Sequence, residues 1–185
     1  MGKILLGGLY MFRKWFIWIL ILFIFGIPNA MTEEDLLQQD GYLSLYNTHS
    51  QETLKIKYLD NEGNIDPLAL SAISYHLRCP YTQKSLELSP QLLVLLDRIQ
   101  DFFGKEKTIS VISGYRTPNY NNILREKSEG VAKYSYHMQG KAADIMIEGI
   151  DLGDIQTCAK LLHQGGVGFY RQRFVHIDVG PIRIW

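Results

Sequence analysis

Cysteine is scarce in this chain. It has two, Cys79 and Cys158, and they form no C-x-x-C pair. That excludes a cysteine zinc knuckle and a thioredoxin-type redox centre. In an oxidising compartment the two could pair only if the fold brought them within bonding distance, which spacing does not determine; two unrelated buried thiols are the simpler expectation. A charge surplus is also missing. Lys plus Arg number 19 and Asp plus Glu number 19, and without a clustered basic excess there is no nucleic-acid footprint. Internal repeats and low-complexity linkers are absent, and the apolar run from Trp15 to Ile27 falls short of the ~20 residues that comfortably span a bilayer.

That run does carry a signal. Lys3, Arg13 and Lys14 precede it and Pro28-Asn29-Ala30 follows. A basic head, a short apolar stretch and a small residue form a secretory signal pattern. Ala30 suits the last position of a cleaved signal, whereas Pro28 does not suit the position two before it. Residues 1–30 are therefore expected to be a signal peptide or a retained N-terminal membrane anchor. No cysteine follows the run, so a lipid-modified N-terminus is not expected. Either way residues 31–185 are expected to be exported, as a single domain of ordinary size.

Along that domain, Thr32–Asp35 reads as a short helix or a disordered leader. Tyr42–Asn47 and Thr53–Tyr58 alternate apolar and polar residues and form a hairpin across the turn 47–52, with His49 a solvated tip residue. Asp66-Pro67 opens a helix to about His76, a helix-end residue, and Ser89-Pro90 opens the clearest helix, apolar at helical spacing to Gly104. Ile109–Ile112 is a buried strand ending in a sharp turn, Ser113–Pro118. A further helix runs from Asp151 or Gly153 to His163. Gly165–Gly168 reads as a flexible turn before a final strand. Strands and helices mixed without βαβ regularity predict an α+β domain, a central antiparallel sheet flanked by helices.

The residues most able to do chemistry are His137 and Asp144, in S-Y-H-M-Q-G-K-A-A-D (135–144), and His176, in F-V-H-I-D (174–178). Two imidazoles and a carboxylate are the three-ligand set of catalytic zinc, which leaves a fourth position for water. His137 and Asp144 alone are more simply a satisfied polar pair. His176 strengthens the metal reading: in a strand it shares a face with Asp178, away from Val175, Ile177 and Val179. Two polar groups on one strand face need a partner, and a hydrated metal is one.

S-G-Y-R-T-P at 113–118, the 135–144 segment and G-G-V-G-F-Y-R-Q-R-F-V-H-I-D-V-G-P-I-R-I-W at 165–185 occur in that order in a known group. The chain resembles the hedgehog-like zinc peptidases, which include D-alanyl-D-alanine carboxypeptidases and dipeptidases, and within them the periplasmic murein endopeptidases. The resemblance covers roughly residues 40–185 and implies the group's fold. It implies Zn2+ on His137, Asp144 and His176. It also implies a substrate-binding or oxyanion-stabilising Arg116, for which a salt bridge within the turn is the alternative. Ser135 either meets substrate or caps its turn.

One position departs from the group. Carboxypeptidase branches carry an acidic general base three residues before the last zinc histidine; here that residue is Arg173. Asp178 is then either the base or a carboxylate that orients a ligand. The expected partner is peptidoglycan, cleaved in the periplasm or cell envelope by a protein that needs only one chain. A D-alanyl-D-alanine carboxypeptidase and a non-catalytic wall-binding module are the alternatives.

Overall fold

The structure, a computed structural model, describes residues 39–185. The expected export segment, residues 1–30, and the helix or leader expected at Thr32–Asp35 lie outside the described residues. Within them, seven strands form one sheet: β1 Tyr42–Asn47, β2 Glu52–Lys57, β3 Ile109–Ser113, β4 Ala142–Ile147, β5 Gly166–Tyr170, β6 Phe174–Asp178 and β7 Arg183–Ile184. Four helices accompany them: α1 Pro67–His76, α2 Pro90–Phe103, α3 Pro118–Lys127 and α4 Leu152–Leu161. No helix among the described residues is long and apolar enough to cross a membrane.

The α+β class holds, with a refinement of the sheet. Its order is β2-β1-β3-β4-β6-β5-β7. Four pairings are antiparallel, but β1 with β3 and β5 with β7 are parallel, so the sheet is mixed. Three segments also differ from expectation. Gly166–Tyr170 is a strand, not a flexible turn; the stretch after Thr117 continues as α3; and β4 runs on from the segment that carries His137 and Asp144.

The two faces of the sheet differ. Leu43, Leu45, Ile109, Val111, Ala143, Ile145, Ile147, Val175 and Ile177 point to one face and are buried with Leu92, Leu93, Leu96 and Ile99 of α2 and Ile155 of α4. Alternation along each strand sends the intervening residues to the other face. There stand Asp144, His176 and Asp178, and no helix of the core covers them. Helix starts follow local chemistry: Asp66, Thr117 and Asp151 each accept a backbone N–H of the first turn, at Leu68, Tyr120 and Gly153, and Pro follows Asp66, Ser89 and Thr117 at the first helical position. Burial of each core Leu or Ile stabilises by about 1.5–3 kcal/mol before entropy is counted. Cys79 and Cys158 are both buried and free.

Candidate metal centre

Sheet register builds the site. In β4 and β6, Asp144 sits directly opposite His176, and Ser113 of β3 pairs Asp144 from the other side. Opposed residues project to the same face, so the carboxylate meets the imidazole without any loop to position it. His137 arrives from a 3-10 turn, Tyr136–Gln139, just ahead of β4. Ser135 caps that turn by accepting the His137 N–H at 3.3 Å. Gly140 closes it at φ 65, where a Cβ would lie 2.9 Å from the Glu87 carbonyl oxygen, so a side chain there is both strained and crowded. The Arg116 N–H donates to the His137 carbonyl at 3.2 Å and ties the turn to the end of β3.

Three atoms converge. His137 Nε2 lies 3.2 Å from Asp144 Oδ1 and 3.2 Å from His176 Nδ1, and His176 Nδ1 lies 2.9 Å from Asp144 Oδ1. Ligands at about 2.0–2.1 Å from one tetrahedral zinc stand about 3.3 Å apart, close to these edges. The residues are 1%, 2% and 8% exposed.

The outer hydrogen bonds decide what the triangle presents. His137 Nδ1 faces the Gly114 carbonyl at 2.8 Å and His176 Nε2 faces Asp178 Oδ2 at 3.0 Å. Both partners only accept, so each of those nitrogens carries the proton, and in the neutral rings His137 Nε2 and His176 Nδ1 carry lone pairs. Two lone pairs and a carboxylate oxygen aimed at one point repel each other until a cation joins them, so the donor set fits a metal.

Burial and neighbouring charges pull the three groups in opposite directions. Burial pushes His137 below its ordinary pKa, against the pull of Asp144. Burial would lower His176 too, but its hydrogen bonds to Asp144 and Asp178 raise it. Burial would raise Asp144, yet His137, His176 and Arg116 outweigh it and hold the carboxyl well below the usual range.

Arg116 donates from Nη2 to Asp144 Oδ2 and from Nε to Ser113 Oγ at 2.7 Å. Its Asp144 contact is the salt bridge weighed as an alternative, but two of five donors account for these contacts, and the side chain also lines the cleft. Asp178 is fully buried and does not line it. Its Oδ1 accepts from the N–H groups of Gly166 and Gly180 and from Arg183, and its Oδ2 faces His176 and Arg183. Of the two roles left open for Asp178, this geometry suits orientation of His176 and leaves no free lone pair for a water's proton.

The site floors a cleft of about 730 Å³. Tyr120, Lys127 and Tyr134 line it from α3 and the segment after it, and Tyr170, Arg173 and Trp185 from the β5–β6 hairpin and the C-terminus. His49, at the β1–β2 tip, also lines it, which the hairpin pattern in the sequence could not reveal. Arg183 was likewise not expected; its only sequence signal is a position five residues beyond Asp178.

Comparison with known proteins follows the same direction. A family profile described as "Peptidoglycan L,D-endopeptidase MepK" matches residues 37–185. The chain belongs to this family. Members of that name from Escherichia coli (strain K12) and Shigella flexneri are each 42% identical over 144 residues, 77% of this chain and 79% of theirs. A "Probable peptidoglycan L,D-endopeptidase MepK" from Haemophilus influenzae is 34% identical over 161 residues, 86% of both chains.

Proposed function

We propose that this chain is a zinc-dependent peptidoglycan endopeptidase that hydrolyses the L,D peptide cross-links named in its relatives' descriptions. The observation that carries this reading is the triangle of lone-pair donors at 2.9–3.2 Å, buried at the floor of a cleft of about 730 Å³. His137, Asp144 and His176 would hold the metal. A zinc there supplies Lewis acidity, polarising an amide carbonyl and making water nucleophilic at neutral pH.

The chain's own residues do the rest. Gly114 and Asp178 hold the two imidazoles in the tautomers that ligation needs. Arg116 anchors Asp144 and keeps donors free to bind a substrate carboxylate or steady the oxygen that gains charge. Ser135 caps the His137 turn. Lys127 and Arg173 line the cleft and make no ion pair among the described residues, so the cleft favours peptides bearing free carboxylates, as wall stem peptides do. Export to the periplasm or cell envelope through residues 1–30, as signal or anchor, belongs to the same reading.

Digestion of purified sacculi tests it. The protein is expected to release fragments whose masses correspond to opened L,D cross-links, with activity lost on chelation and restored by zinc. Release of terminal D-alanine alone would indicate a carboxypeptidase, and sedimentation with the wall without release a binding module; either result rejects the proposal.

A further inference from the structure

Amide hydrolysis moves protons as well as bonds. Water's oxygen joins the carbonyl carbon, the C–N bond breaks, one proton leaves the attacking water and one must reach the departing nitrogen. A side chain that exchanges a proton near neutral pH usually carries this transfer. Asp178 is walled off behind His176, and Arg173 occupies the position three residues before His176 where carboxypeptidase branches carry an acid. Among the cleft-lining residues outside the triangle, Arg116, Lys127, Arg173 and Arg183 are cations, and the tyrosines offer phenol hydroxyls. His49 is the one remaining side chain of a type suited to the task.

Its placement is built rather than incidental. Asn47, the last residue of β1, is buried; its Oδ1 accepts the backbone N–H groups of His49 at 2.9 Å and Ser50 at 3.3 Å, and its Nδ2 donates to the His76 carbonyl at 2.6 Å. The Thr48 N–H and hydroxyl both donate to the Val111 carbonyl, at 3.1 and 3.2 Å, and pin the turn to β3. Gln51 completes it at φ 60. The imidazole of His49 is left exposed. Register ties the end of β1 to the strands of the site. Asn47 pairs Val111, Ser113 pairs Asp144, and Asp144 pairs His176. His49 lies in the turn beyond the end of β1, and its side chain lines the same cleft as His137, Asp144 and His176. A peptide lying along that cleft passes both the triangle and His49.

We infer that His49 is the proton-transfer residue of the hydrolysis: the neutral imidazole takes the proton of the attacking water and delivers it to the departing amine, ending neutral. This rests on the proposed function, and wild-type protein assayed in parallel separates the two. Cleavage of a soluble L,D-cross-linked muropeptide is measured for wild type, His49→Ala and His49→Gly. The expected result for both variants is a kcat lower by about 100-fold or more, with KM within about twofold and zinc content and Tm unchanged; added imidazole restores part of the rate in His49→Gly. An active wild type with kcat unchanged in His49→Ala, or a change confined to KM, overturns the assignment. A wild type that cleaves nothing overturns the proposed function and this inference with it.

Discussion

His176 ends a chain of charged contacts that begins at Arg183. The guanidinium donates to both oxygens of Asp178, at 3.1 and 2.7 Å, and Asp178 accepts from His176. Arg183 itself lies 5.0 Å from the centroids of the Tyr136 and Trp185 rings, which hold its planar fork in place. Burial would raise the Asp178 pKa, but His176, the Gly180 N–H and Arg183 bring it down to about 2, so the carboxylate stays charged against the ring it orients. Arg183→Met should therefore weaken zinc binding by about tenfold, the low end for partners outside the ligand shell. In an Asp178→Asn background the same change should cost little, because Arg183 acts through Asp178. Competition with a chromophoric chelator measures both. Additive losses would show that Arg183 acts by another route.

At the scale of elements, α2 and the start of β1 share a buried carboxylate. Asp97 Oδ2 accepts the Gly41 N–H at 3.0 Å and the Tyr58 hydroxyl at 2.7 Å, while its Oδ1 has no partner among the described residues. Burial, with the charges of Asp101 and Asp40, lifts its pKa to about 6 against the hydrogen bonds from Tyr58 and Gly41. A carboxyl raised in the fold binds its proton there more tightly than in the unfolded chain, so its contribution falls as pH climbs from about 4 to about 6. Asp97→Asn keeps an acceptor for both donors and removes the charge. It should stabilise the protein at pH 7 by up to about 3 kcal/mol, the limit for a shift of this size, and flatten the decline between pH 4 and 6. Thermal melts across that range check it.

Legibility also varied by element. The hairpin, α1, α2 and the strand of His176 declare themselves by period and caps. β4 does not: A-A-D-I-M-I is buried at five of six positions, with no alternation to read, because core packs one face and the site the other. β5 hides behind its glycines. A Cβ at Gly168 would meet the Trp185 ring at 2.6 Å and one at Gly166 the Asp178 carboxylate at 2.5 Å, so the glycines mark close packing of a strand rather than a flexible turn. α3 lacks an apolar face, and Asn121 is its one buried residue; the Thr117-Pro118 start was its available signal. The candidate ligand set was legible because its residue types are rare in that combination. The surroundings of Asp178 and His49 depended on neighbours distant in sequence.

For the whole molecule, the sheet separates two tasks. One face packs against α1, α2 and α4 and supplies stability; the other carries the polar row Ser113, Asp144 and His176 across three strands, open to a cleft with four cationic side chains, Arg116, Lys127, Arg173 and Arg183. Placing the site on strand backbone rather than on loops keeps its ligands rigid. The polar pairs of that face cost desolvation that a bound cation offsets, so removal of metal should lower Tm as well as activity. The central claim is that His137, Asp144 and His176 hold one zinc. Elemental analysis of the purified protein beside His176→Ala tests it most directly. The account predicts about one zinc per chain in the wild type and its loss in the variant; a wild type without metal after exposure to zinc, or a variant that keeps its full complement, would contradict it.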